Sequence, residues 1–219
     1  IRRTLGEIQE KVRTPHRIWI VYDFDEDNTL PALRGWHGPA DTIRLTRNRY
    51  GRGVLNAIRT GFDLVEDGVV LVIMADSSDD LAAVDVMFAK VNDGYGLVCG
   101  SRYMQGGRQI GGPRLKKLMS RAAGLSLRYL AGIPTHDVSN SFKMYTTRVL
   151  KSIQIESAGG FEIGMEILVK AHAQGCRIAE VPSTWRDRTA GESRFRLWKW
   201  LPGYLHWYWF AMRHAWLRR

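Results

Sequence analysis

Two short apolar runs, each ending in a cluster of carboxylates, constrain this chain more than any other feature. Arg17-Ile18-Trp19-Ile20-Val21 leads into Asp23, Asp25, Glu26 and Asp27. Val69-Val70-Leu71-Val72-Ile73 leads into Asp76, Asp79 and Asp80. Runs of this length, rich in β-branched residues, read as buried strands. Helical periodicity alternates with them, so the expected fold class is α/β, a mostly parallel open sheet with helices on both faces. In such sheets ligands bind outside the carboxyl ends of the strands. Acids there can hold a divalent cation or a ribose, because hard cations take oxygen ligands. A single Asp-rich turn has a local reason of its own, since Asp bonds nearby backbone. Two such turns at separate strand ends favour a site.

The same periodicities predict helices over residues 1–13, 53–65, 80–91, 114–131 and 161–174. They predict strands over 17–22, 41–45, 69–74, 96–100, 141–145 and 177–182. Ile163, Ile167, Leu168 and Ala171 form the inward stripe of one helix. Gly106, Gly107, Gly111, Gly112 and Pro113 mark a loop. The chain opens as if in mid-helix, with no initiator Met, so a first strand is expected to be missing from this sheet.

A length of 219 residues suits one α/β domain with a full core. A net charge of +10 implies anionic partners. Cys99 and Cys176 are too few and too separated for a disulfide framework; Cys99, in an apolar run, reads as a buried thiol in a reducing compartment. No uninterrupted apolar run approaches the ~20 residues of a spanning helix. Nucleic acid is not an expected partner. No DNA- or RNA-binding motif appears, and strand-end acids repel phosphate unless a cation intervenes.

Between the acidic clusters, Asn48-Arg49-Tyr50-Gly51-Arg52-Gly53 precedes a helix. Glycines there let backbone N–H groups approach a phosphate or nucleotide; a helix start that needs tight packing explains them equally well. The segment is neither a Walker A loop nor a dinucleotide fingerprint. From Gly94 to His136 there is no acid, while seven arginines and lysines occur, among them Arg102 and Lys116. Lys116 and Ser120, four residues apart, share a helix face and can clamp a phosphate.

Together these segments resemble the family-2 inverting glycosyltransferases, in particular the branch of dolichol- or polyprenyl-phosphate mannose synthases. Val21 to Thr29 is similar to the Val-Asp-Asp-Gly-Ser-x-Asp-Gly-Thr signature at Asp23, Asp27 and Thr29. Met74-Ala75-Asp76 stands at the Asp-x-Asp metal signature, with Met74 replacing the leading acid. Gly100-Ser101-Arg102-Tyr103 matches Gly-Ser-Arg-Tyr, and Asp137 to Lys143 resembles Asp-x-x-Ser-Gly-Phe-Arg. Phe161 to Glu166 resembles Phe-x-x-x-x-Glu, and Arg188 to Arg194 resembles Arg-x-x-Gly-x-Ser-Lys.

The resemblance implies a nucleotide-sugar-binding fold that transfers a hexose, mannose from GDP-mannose, to a polyprenyl phosphate. It assigns Asp23, Asp27, Gly51, Gly53, Asp76 and Arg188 to the donor. Asp76, Arg188 and Arg194 become the catalytic set, and Asp76 with Ser78 the ligands of Mg²⁺ or Mn²⁺. A thioether is a poor ligand for these ions, so Met74 takes no part. Arg102, Lys116 and Ser120 become the acceptor-phosphate site. A UDP-sugar donor, a non-lipid acceptor or a non-catalytic module of the same fold are the alternatives.

Residues 197–219 hold five of the eight Trp and no acid. Trp and Tyr favour the membrane–water interface, and Lys and Arg favour anionic headgroups. The expected division is a catalytic domain over 1–196 and a membrane-interface segment over 197–219, at the cytoplasmic face of a membrane. A helix that covers the sheet is the alternative for this segment.

Overall fold

The structure, a computed structural model, describes residues 1–36, 42–187 and 197–217. In chain order the elements are α1 (Arg2–Lys11), β1 (Ile18–Tyr22), α2 (Thr29–Leu33), β2 (Ile43–Arg47), α3 (Val54–Asp63) and β3 (Val69–Leu71). A 3₁₀ turn at Leu81–Ala83 leads into α4 (Val84–Asn92), followed by β4 (Leu97–Ser101), β5 (Arg108–Ile110) and α5 (Arg114–Ala131). Then come β6 (Lys143–Thr146), α6 (Thr147–Ser152), α7 (Ile163–Ala173), β7 (Ile178–Pro182), β8 (Thr184–Arg186) and α8 (Leu197–Leu217).

The central sheet has the order β3-β6-β4-β7. β6 runs antiparallel to both its neighbours, whereas β4 and β7 are parallel. β3, β4 and β7 therefore share one direction, and their carboxyl ends lie along one edge. β1 pairs with β2 and β5 with β8, both in parallel. The expected α/β architecture is thus present, with one reversed strand in the middle.

Side chains alternate across the sheet as the two-residue period of a strand requires. Leu97, Cys99 and Tyr145 face a core shared with α3, α5, α7 and α8. Val98, Met144 and Val181 face a second core shared with α1, α4 and β1. β4 is buried at all five positions, as its unbroken apolar run demands. Burial pushes the Cys99 thiol up to about 12, so this cysteine is unreactive.

Several boundaries differ from the periodicity, each for a local reason. The strand expected at 141–145 starts at Lys143, because Asp137 and Asn140 fold the preceding residues into a turn. Asp137 Oδ1 accepts from the Asn140 N–H, and Asn140 Nδ2 donates to the Gly100 carbonyl at 2.8 Å. The strand expected to reach residue 74 ends at Leu71. The strand expected at 41–45 runs from Ile43 to Arg47, in register with β1. The glycine loop at 106–113 contains β5, whose partner β8 lies over 70 residues away.

α5 occupies the predicted interval. Pro113 precedes its first turn and Gly132 ends it at φ 71°, donating its N–H to the Leu127 carbonyl. α8 is not held apart from the rest of the chain. Trp207, Ala211 and Met212 are in the first core, and Trp207 Nε1 donates to Ser157 Oγ at 2.9 Å.

α5 sits so close to the loop before β6 that a Cβ on Gly124 would lie 2.0 Å from the His136 carbonyl oxygen. Gly124→Ala is expected to destabilise the fold by about 2 kcal/mol or more, read as a lower midpoint in urea unfolding.

Candidate active site

The β1–β2 register places the ends of these strands side by side, and the Asn48 N–H donates to the Tyr22 carbonyl at 2.8 Å. Asp23 leaves β1 and Asn48 leaves β2, so the two side chains meet. Asn48 Nδ2 donates to Asp23 Oδ1 at 2.9 Å, and the Gly53 N–H donates to both Asp23 oxygens at 3.2 Å. Gly53 can do this because it sits at φ 121°, a conformation open only to glycine. Asn48 is fixed in turn by Thr60 Oγ1 and the Tyr50 N–H. Thus Asp23 and Gly53 meet directly, while Gly51 lies in the loop between Asn48 and Gly53. The Gly53 amide, however, orients the Asp23 carboxylate rather than pointing away from it. Asp27 builds the turn itself, accepting from the N–H groups of Asp23 and Thr29. The Arg52 guanidinium lies 4.1 Å over the Phe24 ring. Asn48 opens the Asn-x-x-Gly-x-Gly segment without being assigned a role from the sequence, and nothing in the sequence signals the stacking of Arg52 on Phe24.

The second acidic cluster is a tight loop beyond β3. Asp76 Oδ1 accepts from the Ser78 N–H at 3.1 Å. Ser77 carries φ 58°, the only positive value at a non-glycine residue among those described, and its hydroxyl meets Thr4 Oγ1 of α1. The loop is tied to the β8 strand at two points. The Arg186 N–H donates to the Ser78 carbonyl at 3.0 Å, and the Thr184 N–H donates to Asp80 Oδ2 at 2.9 Å. β8 is thus held against the loop that carries Asp76. Arg188 and Arg194 themselves lie outside the described residues.

Asp79 points inward, accepting from the Met74 N–H at 2.9 Å. Burial, reinforced by the Asp76 and Asp80 carboxylates and only partly countered by that amide and by Arg102, pushes its pKa up to about 7. Ser78 is also buried, with both backbone groups engaged. Asp76 is thus the half-exposed acid of this loop's inner turn, held by Ser78 and flanked by an inward Asp79. No group of three or more His, Cys, Asp or Glu among the described residues could hold a metal ion unaided.

The third cluster centres on Arg102, at the end of β4. Its side chain is 8 % exposed and faces Asp137, which is fully buried. Nε donates to Asp137 Oδ2 at 2.6 Å and Nη2 to Oδ1 at 2.8 Å, a bidentate pair. Nη2 also reaches Ser120 Oγ and Ser139 Oγ, and Tyr103 Oη donates to Gln109 Oε1 and lies 3.1 Å from Ser120 Oγ. Burial alone would raise the Asp137 carboxyl, but Arg102 outweighs it and holds the group below the usual range. Arg102 is therefore a buried organising residue and not the open phosphate contact the sequence suggests. Ser120 lies in its network, and Lys116 stands one turn earlier on the same inward face of α5. Lys143, fully buried, donates to the carbonyls of Val138 and Asn140 and so braces the turn that carries Asp137.

Residues 1–154 match the model of glycosyl transferase family 2. The chain belongs to that family. It is 30% identical over 199 residues to an undecaprenyl-phosphate mannosyltransferase of Micrococcus luteus, covering 87% of this chain and 80% of that one. It is 27% identical to a dolichol-phosphate mannosyltransferase of Pyrococcus furiosus, over 83% of this chain and 51% of the relative's length. In fold it is similar to glucosyl-3-phosphoglycerate synthase from Mycobacterium tuberculosis bound to UDP, with a TM-score of 0.68 at 14% identity, over 97% of this chain and 75% of that one. Another structure of that synthase contains Mn²⁺ and UDP-glucose. The family membership makes this chain a glycosyltransferase with the expected fold.

Two outcomes follow from the site's electrostatics. Asp137→Ala leaves Arg102 buried without its counter-charge and is expected to cost about 3–5 kcal/mol in urea unfolding. Asp79 has a folded-state pKa above its ordinary value of 3.8. Its contribution is therefore fully present below that value and is lost as pH rises through about 7. Asp79→Asn is expected to gain stability relative to the parent over that window, measured as the difference in urea midpoints between acid and neutral pH.

Proposed function

We propose that this chain catalyses inverting transfer of mannose from GDP-mannose to a polyprenyl phosphate at a membrane surface. The observation that carries the reading is the double tie between the Asp76 loop and β8. It fixes β8 against the loop that carries Asp76, the half-exposed carboxylate that a sugar-diphosphate's cation would need. The kinship with polyprenyl- and dolichyl-phosphate mannosyltransferases supports the choice of acceptor and sugar.

In this reading Asp23, oriented by Asn48 and Gly53, holds the nucleoside, and Asp76 faces the diphosphate across a common crevice. Asp79 and Asp80 are engaged by the amides of Met74 and Thr184, so Asp76 is the carboxylate that would hold a cation together with the donor's diphosphate. That suits Mg²⁺ or Mn²⁺, which accept hard oxygen ligands and keep open positions. When bound, the ion supplies Lewis-acid stabilisation of the leaving diphosphate. Ser78 positions the Asp76 carboxylate. Arg188 and Arg194 neutralise the diphosphate as the bond to the sugar breaks. The acceptor is already an anionic phosphate, so positioning matters more than a strong general base. Lys116 and Ser120 hold it at the inward face of α5, with Arg102 fixing Ser120.

Among the described residues no helix is long and apolar enough to cross a membrane. α8 instead exposes Trp198, Leu205, Trp209 and Trp216 along one stripe. Indole rings at such a stripe favour the interface, and this seats the domain where a lipid acceptor lies.

Asp76→Ala and Arg188→Ala are each expected to lower the rate of mannosyl transfer about 100-fold or more while leaving the unfolding midpoint unchanged. Near-parental rates in both variants would remove the assigned roles. Titration with GDP-mannose and UDP-glucose in the presence of Mn²⁺ measures the donor preference directly; tighter binding of the UDP-sugar would overturn the donor assignment.

A further inference from the structure

The two acidic loops hang from different sheets. β1 pairs with β2, β3 belongs to the central sheet, and among the described residues no strand ladder joins the two. The separation of Asp23 from Asp76 is therefore not set by sheet register. Apolar packing brings the sheets together, with Ile20 of β1 in the same core as Val98 and Met144. Packing of that kind is non-directional.

α1 makes directional contacts to both sides. Toward the first loop, the Arg2 guanidinium donates from Nε to the Ala32 carbonyl and from Nη2 to the Arg34 carbonyl at 2.6 Å. These carbonyls lie at the C-terminal end of α2, where helix acceptors lack partners and an arginine can supply them. α2 in turn starts at the turn that Asp27 closes on the amides of Asp23 and Thr29. Toward the second loop, Thr4 Oγ1 meets Ser77 Oγ at 3.1 Å, and Thr4 is only 3% exposed. Ser77 sits between Asp76 and Ser78 at φ 58°, a conformation uncommon for a residue with a Cβ and kept where neighbours hold it. Beyond it the Ser78 N–H returns to Asp76 Oδ1.

The helix that carries both contacts has a fixed seat. Leu5 and Ile8 are buried in the second core with Leu81, Val84 and Met87. Just past its C-terminal end, the amides of Arg13 and Thr14 and the Thr14 hydroxyl donate to the Asp85 carboxylate in the first turn of α4. Arg2 and Thr4, two residues apart on this anchored helix, thus reach the two loops from one place.

We propose that α1 is a clip across the donor site, with Arg2 and Thr4 as positioning residues that set the span between Asp23 and Asp76. Each acts through another group: Arg2 through α2 on the Asp23 turn, Thr4 through Ser77 on Asp76. The inference rests on the reading of Asp23 as the nucleoside contact and Asp76 as the carboxylate of the cation, and adds what keeps the two at one separation. A nucleoside diphosphate with its cation engages both loops at once, so its affinity depends on their spacing. The two arms differ in signature. Asp76 is felt by the ligand only through the ion, whereas Asp23 needs no ion.

The test is calorimetric titration of the full chain with GDP, once with Mn²⁺ and once with EDTA in its place. Mn²⁺ is expected to tighten binding to the parent. Thr4→Val keeps the side-chain shape and removes the hydroxyl; it is expected to weaken GDP about tenfold in Mn²⁺ and to leave binding in EDTA unchanged. Ser77→Ala removes the other half of the contact and is expected to give the same pattern, while Thr4→Ser restores parental affinity. Arg2→Met is expected to weaken GDP by a similar factor in both conditions. Circular dichroism melting checks that the variants are folded. Parental affinity in Thr4→Val and Ser77→Ala, or an equal loss with and without Mn²⁺, overturns the role of Thr4. Parental affinity in Arg2→Met overturns the other arm, and with it the clip. A parent chain that binds GDP no tighter in Mn²⁺, or that does not bind GDP, overturns the donor-site reading beneath, and the parent shows this before any variant is compared.

Discussion

The buried pair of Arg102 and Asp137 is the interaction on which the rest of the site depends. It joins the end of β4 to the turn before β6, and through Ser120 it reaches α5. A buried ion pair adds little net stability over a hydrophobic replacement, because desolvation consumes most of the Coulombic gain. What it fixes is geometry. Both Arg102 and Asp137 use nearly all their hydrogen-bonding capacity on each other and on hydroxyls, so the strand end, the turn and the helix have one mutual arrangement. Lys143 extends the same logic from behind, bonding two carbonyls of the turn.

The two acidic loops are built on a different plan. In each, one carboxylate closes the loop on its own backbone and another is oriented by neighbouring amides. Asp27 closes its turn and Asp79 closes the other, while Asp23 and Asp76 remain as the oriented members. The rigidity of each loop is thus supplied by acids that sequence inspection alone counts as potential ligands. The neighbouring amide and hydroxyl partners also explain why the leading acid of the metal signature can be absent. Position 74 contributes its backbone N–H to Asp79, a role that Met74 fills as well as any residue.

This division shows how far the sequence could be read. The strands and helices with unbroken apolar runs or stripes, such as β4, α5 and α7, were legible because burial on one or both faces leaves a periodic trace. β5 and β8 were not, since each is three residues long and their pairing is a long-range event. The meeting of Asp23 with Asn48 and Gly53 was partly legible from motif order. The inward turn of Asp79 and the burial of Arg102 were not, because a charged residue reads as exposed until a specific partner is known. For Arg102 the partner lies 35 residues away. In the C-terminal segment α8 buries Trp207 in the core, as the sheet-covering alternative expects, and leaves Trp209 exposed.

The charge distribution gives these pieces a common direction. The loops after β1 and β3 hold seven of the 22 acids, whereas α5 carries five Arg and Lys and no acid. A basic protein that kept its acids dispersed would hold anionic ligands anywhere on its surface. In the proposed reading the Asp76 loop would take the divalent cation and the inward face of α5 the acceptor phosphate. An anionic donor and an anionic acceptor repel each other, so a site that joins them must screen both at once. In that reading a cation at Asp76 on one side and the inward face of a basic helix on the other would do so without a buried unpaired charge, the arrangement a folded core tolerates least.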